Sequence, residues 1–273
     1  MKEILVRSLS GIIYVLLLIV SLFFENALIA LFFVFGLICL SEFKKLIQLK
    51  SYIAYIIFIA LYGIFGFWQV VWNSELGLNE ATQILMVLSI FVELFLIKDL
   101  FSEKTIPLFS SKRYLLTTFY LSSAFVFLVL IANFYETYNP NILLGCFILV
   151  WVNDSFAFLV GKNFGKQKLF EKISPKKTVE GFLGGLFFAC VASYFIATFT
   201  DTLSFTSWLG LSIIVSVFGT LGDLIESKFK RQAKVKDSGI IMPGHGGLLD
   251  RLDSIIFAAP FIYLFLRIIH YVS

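Results

Sequence analysis

The sequence has few charged residues, few cysteines and no long polar segment, and each shortage excludes a class of protein. Only 15% of the 273 residues are charged and 59% are apolar, whereas soluble domains have roughly 25% and 45–50%. This composition, with a mean hydropathy of +0.92, excludes a water-soluble monomer. The 18% of residues that are aromatic exclude intrinsic disorder. The chain is therefore predicted to be a polytopic membrane protein.

The three cysteines, Cys39, Cys146 and Cys190, are too few for a disulfide-stapled secreted module. Each lies in an apolar run, and none forms the CxxC spacing that is typical of metal or redox sites. We interpret them as packing residues.

Apolar runs predict an all-α bundle of about nine transmembrane helices, because a bilayer core requires about 20 mostly apolar residues per helix. The first two runs are separated by only two residues, so a hairpin that reduces the count to eight is the alternative. The runs cover residues 4–24, 27–40, 52–71, 81–97, 114–132, 142–160, 179–198, 208–225 and 252–269.

The basic residues predict the orientation of the bundle. With the amino terminus in the cytoplasm, of the 22 Lys and Arg residues only Arg267 falls on the outer side. Cytoplasmic loops of membrane proteins carry such an excess of basic residues. The amino terminus is therefore predicted to be cytoplasmic and the carboxyl terminus to lie outside.

Polar motifs are concentrated in the second half of the chain. They occupy residues 151–185 and 219–254, while residues 1–140 resemble a generic membrane scaffold. We therefore predict one integral membrane domain, with scaffold in residues 1–140 and the catalytic region in residues 141–273.

The first polar segment places Asp154 inside the sixth apolar run. An Asp at the centre of a span costs about 2.5–3.5 kcal/mol on insertion scales, so an acidic residue here favours a functional role. We interpret Asp154 as a candidate metal ligand; the alternative is an interfacial Asp that reaches water.

The second segment, KISPKKTVEG, lies between the sixth and seventh runs. Ser followed by Pro predicts a helix start, with two lysines and a threonine in the first turn. Backbone N–H groups, a hydroxyl and two ammonium groups around one point are suited to binding phosphate. The alternative is a basic loop that only orients the chain. The candidate substrate-binding residues here are Ser174, Lys176, Lys177, Thr178 and Glu180.

Two glycines lie at and just after the end of this segment, Gly181 and Gly185. Small residues spaced by four allow two membrane helices to approach closely. We predict that this pair serves helix packing.

The third segment, residues 222–254, mixes acids and bases at the cytoplasmic ends of the last two spans. Asp223 and Ser227 are four residues apart, and Asp250 and Asp253 are three apart, so each pair shares a helix face. Carboxylates from two helix ends need cations, and Mg²⁺ prefers one or two carboxylates together with substrate phosphates. We therefore predict that Asp223 and Asp250 bind Mg²⁺, with Asp253 and Asp154 as further candidates. The sequence leaves open whether a second cation joins it.

A glycine-rich turn, PGHGG, separates these acids and places His245 at its centre. Glycines let backbone N–H groups approach an anion, and a His can donate to a phosphate oxygen or move a proton. A single His in a loop is more often merely solvated. His245 is thus a candidate catalytic residue, and the simpler interpretation is that its role is only electrostatic.

Clustered carboxylates, two basic clusters and a Ser/Thr turn at the lipid boundary indicate phosphoryl or nucleotidyl transfer to a lipid phosphate. One alternative is an ion-coupled transporter with Asp154 in its pathway. Another is a different lipid-linked transferase, such as a polyprenol kinase or a CDP-alcohol phosphotransferase. The Asp-Gly-x-x-Ala-Arg signature of the last class is missing from this sequence.

These motifs resemble the phosphatidate cytidylyltransferases, or CDP-diacylglycerol synthases. The resemblance has specific motifs over about the last 120 residues and rests on hydropathy alone in the first 140. The family pattern Ser-x-x-Lys-Arg, four residues, Lys-Asp-x-Gly, Pro-Gly-His-Gly-Gly and Asp-Arg-x-Asp is matched by Ser227, Lys230, Arg231, Lys236, Asp237, Gly239, residues 243–247, Asp250, Arg251 and Asp253. Met242 departs slightly, where the family usually has Leu, Ile or Phe.

The resemblance implies that CMP is transferred from CTP to phosphatidic acid with Mg²⁺, giving CDP-diacylglycerol and pyrophosphate. It also implies a homodimer. We expect membrane lipid and no nucleic acid as partners, a bacterial cytoplasmic membrane as the location, and an active site that faces the cytoplasm. Ser227 joins the candidate substrate-binding residues. The candidate catalytic residues are Lys230, Arg231, Lys236, Asp237, His245 and Arg251.

Overall fold

The computed structural model describes residues 2–68, 70, 78–135 and 138–272, and these are almost entirely helical. Two π-helical segments, Tyr62–Trp68 and Leu116–Ser122, lie among the α-helices. The α-helices are α1 (Lys2–Leu22), α2 (Glu25–Leu46), α3 (Ile53–Leu61), α4 (Leu78–Phe101), α5 (Ser110–Leu115), α6 (Ser123–Ala132), α7 (Asn141–Phe164), α8 (Val179–Thr200), α9 (Phe205–Gln232) and α10 (Leu249–Val272). The strands are β1 (Lys168–Phe170) and β2 (Ser174–Thr178).

The all-α membrane fold predicted from composition is confirmed. Six helical segments are long and apolar enough to cross a bilayer: Glu25–Leu46, Ser110–Ala132, Asn141–Phe164, Val179–Thr200, Phe205–Gln232 and Leu249–Tyr271. Two shorter apolar stretches, Leu9–Leu22 and Ile53–Phe67, match the first and third predicted runs. The fourth run lies within α4.

The number of nine crossings remains a prediction, as does the division of the chain at residue 140. Parts of three predicted segments lie outside the described residues: 69 and 71 in the third run, 72–77 between the third and fourth runs, and 136–137 between the fifth and sixth.

The centre of the bundle is α6, whose ten residues are all buried. Aromatic rings pack against it from two neighbouring elements, since Phe125 contacts Phe32 of α2 and Phe58 of α3. Helix α8 lies at the periphery and exposes large apolar side chains, among them Leu183, Phe187 and Phe195. An apolar surface of this kind is typical of a helix that faces lipid.

Helices α7 and α8 approach closely at Gly181 and Gly185, as predicted. A Cβ atom at Gly185 would lie 2.6 Å from the carbonyl oxygen of Asn153, and one at Gly181 would lie 2.7 Å from that of Ala157. Backbone atoms cannot yield as a flexible side chain can. Only glycine therefore fits at these two positions without moving a helix.

The prediction that a helix starts at Ser174 and Pro175 is wrong. Residues 174–178 form β2, which pairs with β1 in an antiparallel hairpin, and α8 begins at Val179. Thr178 has extended backbone angles, and its hydroxyl accepts a hydrogen bond from the N–H of Gly181 at 3.1 Å. Thr178 is therefore the N-cap, a role in which Ser and Thr are preferred. The two lysines lie on the hairpin and not in a helical turn.

The close contact between α7 and α8 predicts that Gly185→Ala destabilises the protein. Overpacking of this kind costs about 1–3 kcal/mol, which exceeds the gain in helix propensity from Gly to Ala. The measurement is the apparent Tm of purified protein in detergent. Gly63→Ala is the matched control, because a Cβ atom there would meet nothing within 4 Å. A Tm for Gly185→Ala at or above that of the wild type would contradict the packing described here.

Candidate active site

A cavity of about 640 Å³ lies between α7, the β1–β2 hairpin, α8, α9 and α10. Its volume is within the range of roughly 300–1,000 Å³ that is typical of small-molecule sites. Most of the predicted site residues line it: Asp154, Lys176, Lys177, Thr178, Asp223, Lys230, Asp237, Asp250, Arg251 and Asp253.

Three carboxylates meet where α9 packs against α10, and those of Asp223 and Asp253 also line this cavity. Asp223 and Glu226 come from α9 and Asp253 comes from α10, and one oxygen of each lies within 4.8 Å of the others. Glu226 is fully buried and Asp253 is 7% exposed. We call these three residues the acid cluster.

Two lysines neutralise part of the charge of the acid cluster. Lys177 of the hairpin forms an ion pair with Asp223. Lys230 of α9 forms ion pairs with Glu226 on its own helix and with Asp250 on α10, the latter at 2.6 Å. Buried charges are tolerated when they are paired, so these contacts explain why the acids can lie so close together.

Glu226 was not among the residues assigned to the site from the sequence. The signal that identifies it is helical spacing, because Asp223, Glu226, Ser227 and Lys230 fall at successive turns on one face of α9. The shared face of Asp223 and Ser227 is confirmed by a hydrogen bond of 3.2 Å from the Ser227 hydroxyl to the Asp223 carboxylate.

Asp250, predicted as a metal ligand together with Asp223, lies outside the acid cluster. One of its oxygens contacts Lys230, and the other accepts hydrogen bonds from Ser238 N–H (2.9 Å), Ser238 Oγ (2.9 Å) and Gly247 N–H (2.7 Å). A carboxylate near a helix start that accepts from a preceding N–H is typical of a capping box. Asp250 thus joins the glycine-rich turn to α9, and its role toward a metal stays a prediction.

The acid cluster fits a divalent cation. Mg²⁺ prefers oxygen ligands, and the cluster supplies oxygens from three carboxylates on two helices. Glu226 Oε1 is buried and receives no hydrogen bond from any group in the described part of the chain. A buried carboxyl oxygen without a hydrogen-bond donor is unfavourable, and a cation bound there would satisfy it. Asp154 faces the same cavity from α7, and its carboxylate accepts a 3.4 Å hydrogen bond from Asn153.

The other predicted site residues are not among those that line the cavity, and their proposed roles remain predictions. The Glu180 carboxylate accepts hydrogen bonds from the backbone N–H groups of Lys166 and Gln167 at 3.0 and 3.2 Å, which fastens the segment before β1 to α8. Ser174 begins β2, and exposed Lys236 lies between α9 and α10.

Arg231 and His245 contact other parts of the protein. Arg231 donates to the carbonyl oxygens of Ile173 and Val235, each at 3.3 Å. The Nδ1 atom of His245 lies 2.9 Å from the Ser10 hydroxyl on α1. His245 therefore joins the glycine-rich turn to the first helix.

Comparison with known proteins identifies the family. The cytidylyltransferase family model matches residues 5–269. A phosphatidate cytidylyltransferase of Bacillus subtilis (strain 168) is 34% identical over 273 residues, covering 98% of this chain and 97% of the relative. One from Staphylococcus epidermidis (strain RP62A) is 33% identical over 267 residues, covering 96% and 98%. One from Staphylococcus aureus (strain COL) is 45% identical over 156 residues, covering 56% and 57%.

The chain belongs to the cytidylyltransferase family. This membership confirms the resemblance inferred from the motifs, and it covers the first half of the chain, where the sequence offered only hydropathy. A cytidylyltransferase is a nucleotidyltransferase, so the chain is an enzyme and the transporter alternative loses its support.

The paired charges around Lys230 predict a strong effect of Lys230→Met on stability. Removing one partner of a buried ion pair costs about 3–5 kcal/mol, because the other charge is left uncompensated. The Lys230 side chain is 10% exposed, and those of Glu226 and Asp250 are 0% and 6% exposed. We expect a clearly lowered apparent Tm in detergent, and partial recovery when Glu226→Gln is added.

Lys172→Met is the matched control for this prediction. Lys172 pairs with Glu103 at 2.8 Å, but both side chains are more than 80% exposed, so no measurable change in Tm is expected. Equal Tm values for Lys230→Met and the wild type would show that Lys230 does not compensate the buried acids.

Proposed function

We propose that this enzyme transfers CMP from CTP to phosphatidic acid, giving CDP-diacylglycerol and pyrophosphate. The observation that carries the proposal is a cavity lined by two carboxylates of the acid cluster and by the hairpin lysines, in a bundle of apolar helices. The names of its relatives, which are phosphatidate cytidylyltransferases, support it.

The proposed reaction is a direct displacement. An oxygen of the lipid phosphate attacks the α-phosphorus of CTP, a new P–O bond forms, and the bond to the β-phosphate oxygen breaks to release pyrophosphate. Catalysis of such a step depends on positioning and on neutralising charge, so no covalent intermediate is required. Lys176 and Lys177 on the hairpin are placed to neutralise phosphate oxygens in the cavity.

We propose Asp223, Glu226 and Asp253 as the residues that hold Mg²⁺, with Asp154 as a further candidate across the cavity. The bound ion would supply positive charge that polarises the phosphates and stabilises the leaving pyrophosphate. The chain itself fixes the carboxylates on two packed helices. Lys177 and Lys230 balance their charge before substrate binds.

The surroundings of the cavity suit a lipid substrate. Phe158 of α7 lines the cavity and is 65% exposed, and Phe182 of α8 lines it as well. Apolar side chains beside a polar cavity would let acyl chains stay in the bilayer while the phosphate reaches the lysines. We place the protein in a bacterial cytoplasmic membrane with the cavity on the cytoplasmic side, where the basic residues are concentrated. A homodimer stays a prediction.

Pyrophosphate release by purified protein in detergent tests this function. We expect release only when CTP, phosphatidic acid and Mg²⁺ are supplied together, because the lipid phosphate is the nucleophile. Diacylglycerol, which lacks that phosphate, should not replace phosphatidic acid. Asp223→Asn should lower kcat by at least about tenfold, as losses at metal sites do, while the exposed control Glu103→Gln should keep the wild-type rate. Release from CTP alone, or none with both substrates, would overturn the proposal.

A further inference from the structure

A buried acid in the first half of the chain contacts the loop that carries the glycine-rich turn. Glu42 lies on α2 and is 2% exposed. Its Oε1 atom accepts a hydrogen bond from Leu248 N–H at 3.2 Å. Its Oε2 atom accepts from Leu249 N–H at 2.9 Å and from Ser238 Oγ at 3.2 Å. We call residues 233–248, between α9 and α10, the α9–α10 loop.

These contacts compensate the burial of the Glu42 carboxylate. Both oxygens accept from backbone N–H donors, so neither is buried without a partner. Leu248 and Leu249 lie at the start of α10, where backbone N–H groups have no partner within the helix and an anion is favoured. Glu42 therefore caps α10 from another helix.

Two glycines of the α9–α10 loop leave room for this carboxylate. A Cβ atom at Gly239 would lie 2.1 Å from Glu42 Oε1, and one at Gly247 would lie 2.5 Å from Oε2. These two glycines of the loop thus admit a side chain of the protein itself, in addition to any role toward substrate.

A continuous series of contacts leads from Glu42 to the acid cluster. The Ser238 hydroxyl lies between the two acids, 3.2 Å from Glu42 Oε2 and 2.9 Å from Asp250, and the Ser238 backbone N–H donates to Asp250 at 2.9 Å. Asp250 pairs with Lys230, and Lys230 pairs with Glu226 of the cluster. A displacement of the α9–α10 loop would therefore move Asp250 and the ammonium group that balances Glu226.

We propose that Glu42 is a positioning residue for the transfer reaction. It holds the α9–α10 loop and the start of α10 in place. Asp250 then stays paired with Lys230, and Lys230 stays paired with Glu226 of the acid cluster. Glu42 is not among the residues that line the cavity, so it acts through the loop and not on substrate. The kinetic part of this inference rests on the proposed function, and the structural part does not.

Glu42→Gln tests the proposal with two measurements. The amide has a single acceptor oxygen, so its NH₂ group would face one of the two backbone N–H donors. We expect kcat to fall about tenfold to a hundredfold, which corresponds to the free-energy cost of one unsatisfied buried donor. We expect KM for CTP to change by less than about threefold. In hydrogen–deuterium exchange, the peptide that contains Leu248 and Leu249 should exchange faster than in the wild type. Glu25→Gln, at the other end of α2, is the matched control for both readouts.

A double-mutant cycle tests the same proposal if the Glu42→Gln variant fails to fold. In Gly239→Ala the new methyl group would displace the Glu42 carboxylate, so kcat should fall while Glu42 itself is retained. In a Glu42→Ala background the methyl group has space, so the same change should cost less; such non-additivity is the mark of a direct contact. Equal losses in both backgrounds would overturn the proposal.

The two proposals fail in different ways. If the wild-type protein does not use CTP and phosphatidic acid, the proposed function is wrong. Amide exchange still tests the contact with Glu42 in that case. An active wild type together with wild-type kcat and exchange in Glu42→Gln removes the positioning role alone. Faster exchange with an unchanged kcat also overturns it, because Glu42 would then be a purely structural cap.

Discussion

The site depends on one ammonium group, that of Lys230, which lies between carboxylates from two helices. It pairs with Glu226 on α9 and with Asp250 on α10, and so joins the last two long helices where the cavity begins. Paired cations reduce the repulsion between acids that lie this close inside a membrane protein. Lys177 plays the same part for Asp223 from the hairpin. The enzyme therefore holds its carboxylates in place before any substrate arrives.

The first half of the chain takes part in this arrangement. Glu42 on α2 accepts three hydrogen bonds from residues 238–249, and Ser10 on α1 contacts His245. Lys228 of α9 donates to the carbonyl oxygens of Asp99 and Ser102 at the end of α4, at 2.5 and 2.7 Å. Each contact links residues more than 120 positions apart, so the early helices fix the ends of the elements that carry the cavity.

The sequence predicted the parts of the structure that follow from local rules. Apolar runs predict helices because the backbone of a segment in lipid must form its hydrogen bonds internally. Gly181 and Gly185 predict a close helix contact because glycine has no side chain to keep the two backbones apart. The helix start at Ser174 was wrong because pairing of β2 with β1 outweighs the local signal of Ser followed by Pro. Glu42 and Glu226 were missed as site residues. Glu42 contacts its partners only in the tertiary structure, because they lie far away in the sequence. To identify Glu226, one face of α9 has to be selected from a segment that contains several acids.

The central claim is that Asp223, Glu226 and Asp253 form a divalent-cation site. Binding of Mn²⁺ to purified protein, followed by electron paramagnetic resonance without substrates, tests it most directly, since Mn²⁺ accepts the same oxygen ligands as Mg²⁺. We expect the wild type and Glu103→Gln to bind Mn²⁺ alike, and the double variant Glu226→Gln/Asp253→Asn to bind it at least about tenfold more weakly. Wild-type affinity in the double variant would contradict the account.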